Sequence, residues 1–179
     1  MKLNCKLSKK VLSASIATLL FASGVSWAGT ITGGTITFDG TVVATACEVA
    51  TSSFGVSLGE VGTNSLKAAG SESPTKKDFS IELTGCDTSV LKNVTVTFSG
   101  TADSTDTTAL APSGGTATKV AIRLYNSDDT KLNLGTASKP ITLLNNQTLL
   151  NFKAAFISPQ GQATAGDVQA AATYTLTYS

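Results

Sequence analysis

The chain has no histidine, and that absence removes more chemistry than any other feature of its composition. Without an imidazole there is no side chain whose ordinary pKa lies near neutrality, so the commonest general base and the commonest metal ligand are both missing. No Gly-x-Ser-x-Gly elbow and no Walker-type phosphate loop occur either. Charged residues make up only 14% of the chain, and the acidic ones are scattered. Asp128 and Asp129 sit in "NSDDT", which reads as a hairpin turn rather than a catalytic pair. Asp103 and Asp106 are two loop carboxylates, well short of the roughly six or more oxygen ligands that calcium takes. The expectation is a protein that is not an enzyme and uses no metal and no cofactor.

Long apolar runs are also scarce. The one at residues 11–22 follows Lys2, Lys6, Lys9 and Lys10 and precedes Ser26-Trp27-Ala28, a small-x-small ending. This is the layout of a secretory signal peptide over residues 1–28, and the run is too short for a stable membrane anchor. Cys5 precedes the apolar run, so it does not read as a lipoprotein attachment site. Four of the 13 basic residues and the single Trp leave with the signal, so nine basic residues face 12 acidic ones, a formal charge of −3. No basic cluster remains, and nucleic-acid binding is left without an electrostatic footprint. Two cysteines also remain, Cys47 and Cys86, which in an exported chain read as a structural disulfide. A two-cysteine metal site would need further ligands that a chain without histidine does not offer.

What the sequence has in quantity is alternation. Phe79, Ile81 and Leu83; Val94, Val96 and Phe98; Val120, Ile122 and Leu124; Leu150, Phe152, Ala154 and Phe156; and Tyr174, Leu176 and Tyr178 each recur with period two among Thr and other polar residues. These are half-buried strands. Between them lie turn clusters at 59–64, 69–74, 100–106, 112–115, 126–129 and 159–166. Helical periodicity is nearly absent, with one short turn expected around 64–69. Short strands at this spacing predict a single all-β, immunoglobulin-like sandwich. The Thr/Ser/Gly-rich stretch 101–118 reads as a mobile surface loop in preference to a binding loop. Asn93-Val-Thr95 and Asn146-Gln-Thr148 match the N-glycosylation pattern, but a three-residue pattern in a Thr-rich chain is weak evidence.

Both ends of the mature chain are extended. At the start, Gly34, Ile36 and Phe38 share one face, with Gly40 and Val42 continuing the parity. The opposite face, Ile31, Gly33, Thr35 and Thr37, is much poorer in apolar surface, so a one-residue slip would exchange a good face for a bad one. No role for Ile31 is apparent. At the finish, "AATYTLTYS" alternates to the last residue. Either end can complete its own sheet, or one can complete a sheet in a neighbouring molecule.

These features together resemble the pilin subunits of chaperone-usher fimbriae, most closely the type 1 fimbrial major subunit family. The stretches that carry the resemblance are "GGTITFDGTVVATACEV" (33–49), "VSLGEVGTNSL" (56–66), "FSIELTGCDTSV" (79–90) and "YTLTYS". The cysteine separation fits the family's single disulfide. Gly166, fourteenth from the C-terminus, and the penultimate Tyr178 fit its glycine-plus-aromatic signature. The resemblance implies an incomplete immunoglobulin-like sandwich, residues 43–179, lacking its last strand and completed by donor-strand exchange. An N-terminal arm, residues 29–42, would present Gly34, Ile36, Phe38, Gly40 and Val42 to the neighbouring pilin subunit. The acceptor and chaperone edge would be formed by Gly166, Tyr174, Leu176 and Tyr178. Implied partners are other subunits of the same chain, a periplasmic chaperone and an outer-membrane usher, with a host receptor reached only through the fibre. The expected function is a shaft subunit of a surface fimbria supporting cell adhesion. The alternatives are a minor adaptor or tip-proximal adhesive subunit, and a free-standing secreted domain with its own arm folded back.

Overall fold

The computed structural model describes residues 37–42 and 45–179. The expected signal peptide and Ile31, Gly34 and Ile36 lie outside the described residues. The chain divides into two units at Gly40. Of the first, residues 37–40 are described and carry no regular secondary structure.

The second unit, Thr41–Ser179, contains every described strand. In chain order these are β1 (Glu48–Val49), β2 (Ser71–Glu72), β3 (Lys77–Cys86), β4 (Asn93–Gly100), β5 (Gly114–Gly115), β6 (Ala121–Asn126), β7 (Lys131–Leu132), β8 (Ile141–Thr142), β9 (Asn146–Ser158), β10 (Val168–Gln169) and β11 (Ala172–Tyr178). One sheet runs β1-β3-β9-β6-β7, with β2 added to β9; the other runs β11-β4-β8; β5 and β10 form a small ribbon. All pairs are antiparallel. Ile81, Leu83, Leu124, Leu150 and Phe152 from the first sheet pack against Val94, Val96 and Phe98 from the second. This is the expected immunoglobulin-like sandwich, its inner faces set by the period-two pattern. Phe98 and Phe152 meet edge to face, 5.1 Å between centroids, at the middle of the core.

The Cys47–Cys86 disulfide forms as expected, tying the start of β1 to the end of β3. "NSDDT" is the β6–β7 hairpin turn, with Asp129 at positive φ and the Asn126 N–H donating to the Thr130 carbonyl. The helical turn is shorter and earlier than expected, a single 3-10 turn at Thr63–Leu66. It stops because the Leu66 and Lys67 carbonyls accept from the Ala163 and Gln162 N–H groups, which uses the acceptors a continuing helix would need. Two expected turn clusters contain short strands. β9 is 13 residues long and outruns β3, so Ile157 and Ser158 pair with β2 instead.

The clearest departure is the 101–118 segment, which is not a loose surface loop. Ala109 and Leu110 are buried, and Leu110 bridges to both Ala102 and Ile122. Ala109 joins Ala121 and Ile157 in a second small core on the outer face of the first sheet. That face was expected to be polar. β6 is therefore covered on both sides, and Arg123 and Tyr125 are buried with it.

Candidate functional site

The alternating faces do not all end up equally buried. Val94, Val96 and Phe98 of β4 are fully enclosed, whereas Tyr174, Leu176 and Tyr178 of β11, directly opposite them in register, are only half-buried. The reason is position. β11 is the outermost strand of its sheet, with β4 as its one strand neighbour among the described residues.

The hydrogen-bond phase sharpens this. Ser179 and Asn93 exchange both backbone hydrogen bonds, at 2.9 and 2.8 Å. In an antiparallel ladder such pairs alternate with non-bonded ones, so Thr177, Thr175 and Thr173 point their backbone groups at β4. The N–H and C=O groups of Tyr178, Leu176 and Tyr174 consequently point outward, at the open edge. The three residues whose side chains line the inner face are thus the three whose backbone has no strand partner among the described residues.

Beside that edge runs an open groove of about 1870 Å³. One rim is β11 and the chain leading into it; the other is residues 45–62; Phe79, Ile122 and Phe156 lie in the floor. The rims are joined by two tyrosine struts: the Tyr178 hydroxyl donates to the Cys47 carbonyl and the Tyr174 hydroxyl to the Thr51 carbonyl, both at 3.4 Å. Burial pushes the Tyr178 phenol above its ordinary pKa, so it remains a donor at all ordinary pH values. The disulfide fixes the rim from the other side, anchoring Cys47 to β3.

Gly166 lies on the groove wall at positive φ, 152°, and a Cβ there would meet the Ala117 nitrogen at 2.5 Å. A side chain is excluded both by conformation and by space. Gly166, Tyr174, Leu176 and Tyr178 are thus brought together along one wall. Phe38 and Val42 are 89% and 100% exposed, and nothing approaches the position of a Cβ on Gly40. Gly34 and Ile36 lie outside the described residues.

Sequence reasoning missed the opposite rim. Phe54, Val56 and Leu58 alternate with Gly55 and Ser57, a period-two signal as clear as those that were read as strands. Phe54 and Val56 remain exposed, and Phe54 reaches the floor at Phe79, 6.3 Å between ring centroids. It also missed Leu110, which lines the groove from within the supposed loop. No local pattern marks that residue. The loop carboxylates are structural: Asp103 accepts from the Thr105 and Asp106 N–H groups, and Asp106 pairs with Arg123.

Comparison with known proteins places this geometry. A model of the fimbrial protein family matches residues 36–179. The chain is 40% identical to the laminin-binding fimbrial subunit ElfA of Escherichia coli O157:H7, over 96% of this chain and 99% of that one. It is 39% identical to the type-1 fimbrial protein C chain of Escherichia coli, over 92% and 93%. Among solved structures, a chaperone-usher pilus subunit superposes with a TM-score of 0.63 at 25% identity, covering 85% of this chain and all of that one. The P pilus rod subunit PapA shares the fold, with a TM-score of 0.64 at 22% identity over 75% of this chain and all of that one. This chain belongs to the fimbrial protein family and is a structural subunit of surface fimbriae.

Proposed function

We propose that the groove along β11 is the acceptor site through which this subunit polymerises, and that residues 29–42 of the next copy fill it. The observation that carries the reading is the coincidence at Tyr174, Leu176 and Tyr178 of an inward apolar face and an outward backbone with no strand partner among the described residues. A strand laid there gains ladder hydrogen bonds and a second row of core contacts. On the donor side, Ile36 and Phe38 bring the apolar surface, worth roughly 1.5–3 kcal/mol each on full burial. Gly34 and Gly40 suit close approaches, and Val42 continues the face.

Before assembly, the same edge needs cover, because an exposed apolar groove beside an unpaired strand invites aggregation. A periplasmic chaperone supplying a temporary strand, followed by hand-over at an outer-membrane usher, answers that need. Residues 1–28 direct export and are removed. Within the fibre we assign the chain to the shaft. Its relatives include a subunit named for type-1 fimbriae, matched over 93% of that chain's length. Attachment to a host surface, such as the laminin named for one relative, would be reached through the fibre.

The test mixes protein lacking residues 29–40 with a synthetic peptide of residues 29–42. The peptide should raise the thermal midpoint strongly, and a peptide carrying Asp at positions 36 and 38 should do nothing. Equal midpoints with and without the native peptide would sink the acceptor reading.

A further inference from the structure

The polar 101–118 segment has no part in the function so far, yet one of its residues, Leu110, lines the groove. Leu110 exchanges both backbone hydrogen bonds with Ile122, at 2.8 and 2.9 Å, so its side chain shares the inner face with Ile122. It also reaches the other sheet. A Cβ on Gly100 would meet Leu110 Cδ1 at 2.5 Å and the Ala171 carbonyl at 3.0 Å, beside the start of β11. Leu110 therefore spans from β6 to the β4–β11 pair and forms the wall of the groove at that end.

Besides this backbone pairing, polar groups on the opposite face hold Leu110 in place. The Ala109 N–H donates to the Asp106 carbonyl and the Asp103 N–H to the Ala109 carbonyl, folding 103–109 into a tight turn. The Asp106 carboxylate accepts from both the N–H and the hydroxyl of Thr108. Arg123, its side chain only 8% exposed, donates from Nη1 to the Thr108 hydroxyl at 2.8 Å and from Nη2 to Asp106. The Arg123 Nε has no partner among the described residues. A guanidinium this deeply buried, with one nitrogen left over, needs the carboxylate it has. Through Thr108, two residues of chain before Leu110, the turn is locked to β6 at Arg123.

We infer that Asp106 and Arg123 are positioning residues for subunit assembly, which set the end wall of the groove by holding Leu110 between the two sheets. The inference rests on the groove being the acceptor site, and it adds a requirement that neither the open edge nor the arm contains. Neutralising Asp106 loosens the turn, Leu110 withdraws, and the docked strand loses one wall. The incoming strand then leaves faster although β11 itself is unchanged.

The experiment uses fibres of the full chain and measures the rate at which heating in detergent releases monomer. D106N and L110A should each accelerate release by about tenfold, the scale of one unmade polar or packing contact. Because both act through the same side chain, the double variant should release no faster than the quicker single one. D106E, which keeps the carboxylate, should recover most of the wild-type rate. Should D106N not accumulate, T108V removes only the hydroxyl between Asp106 and Arg123 and should accelerate release in the same direction. Wild-type release from D106N or T108V, or multiplying effects of D106N and L110A, would overturn the inference. F38A separates the two levels. Fast release from F38A with no effect of D106N removes the positioning role alone, whereas unchanged release from F38A removes the groove reading with it.

Discussion

At Leu176 the side chain lines the groove while the backbone faces an edge that no described strand covers, so a charge there has a specific consequence. In the free subunit, a Leu176→Asp carboxylate keeps access to water through the open groove. Once a strand covers it, the charge is buried without a partner, which costs several kcal/mol at least. The variant should therefore keep its sandwich by circular dichroism and fail to assemble; fibres at wild-type yield would refute the placement. Asp106 gives a second test at the same scale. The Thr108 hydroxyl, chiefly, holds its carboxyl below the ordinary carboxylate range, with the Arg123 charge acting in the same direction and burial opposing both. A depressed folded pKa stabilises above the unfolded value and loses that contribution as pH falls through the folded one. The stability gap between wild type and D106N should be full at neutral pH and should shrink as pH drops below about 4. Urea midpoints at pH 7 and across the acid range check this; a gap that does not change with pH contradicts it.

Among the elements, β4 and β11 show how the same pattern acquires two meanings. Both alternate cleanly, and both were legible as strands because period two with β-branched and aromatic residues is a local property. That β4 is central and β11 is an edge was not legible in the residue pattern, since the order of strands depends on pairing between residues far apart in the chain; only the family resemblance implied the edge. The same distinction explains β6, where the pattern predicted one polar face. Its covering strap, 101–111, carries a hydrophobic pair too short to show any period. The disulfide was read from two residues and a compartment, and its consequence can be measured. Removing both sulfurs with Cys47→Ser and Cys86→Ser opens a loop with a sequence separation of 39. It should destabilise the subunit by about 2–4 kcal/mol in urea titrations, with the 45–51 rim also freed. Within the arm, deleting Thr37 places Ile36 and Phe38 on opposite faces. A peptide with that deletion should bind much more weakly than one in which Thr37 is replaced by Ser. Equal binding would show that the arm does not dock as a strand in register.

For the molecule as a whole, no described strand pairs with the outer edge of β11, and under the proposed function stability becomes a property of the fibre rather than the subunit. Linkage makes this quantitative, because anything that binds only the folded form raises its apparent stability by mass action. Protein lacking residues 29–40 should remain able to receive a strand but unable to supply one. It should therefore be unable to join the open groove at the end of a growing fibre, and tagged protein of this kind should be found by electron microscopy at one fibre end at most. Tag distributed along the fibre would rule out the arm as donor. The shaft assignment has its own check. In purified fibres the chain should be the dominant band, and a trace band would make it an adaptor.

The sequence by itself determined the long strands, their inner faces and the disulfide, because each rests on a local period or a residue pair. It also determined that the two ends carry extended, one-sided patterns. The edge at β11, implied beforehand by the family resemblance alone, has its physical basis in the tertiary structure. Only that structure decided that the backbone phase aims the N–H and C=O groups of Tyr174, Leu176 and Tyr178 outward and that residues 45–62 form the facing rim. It alone recruited Leu110 from a polar loop by way of Arg123 and Asp106. The physical reason is common to all of these. An open edge and a groove are defined by which distant segments are absent from a site, and no stretch of sequence encodes a missing neighbour.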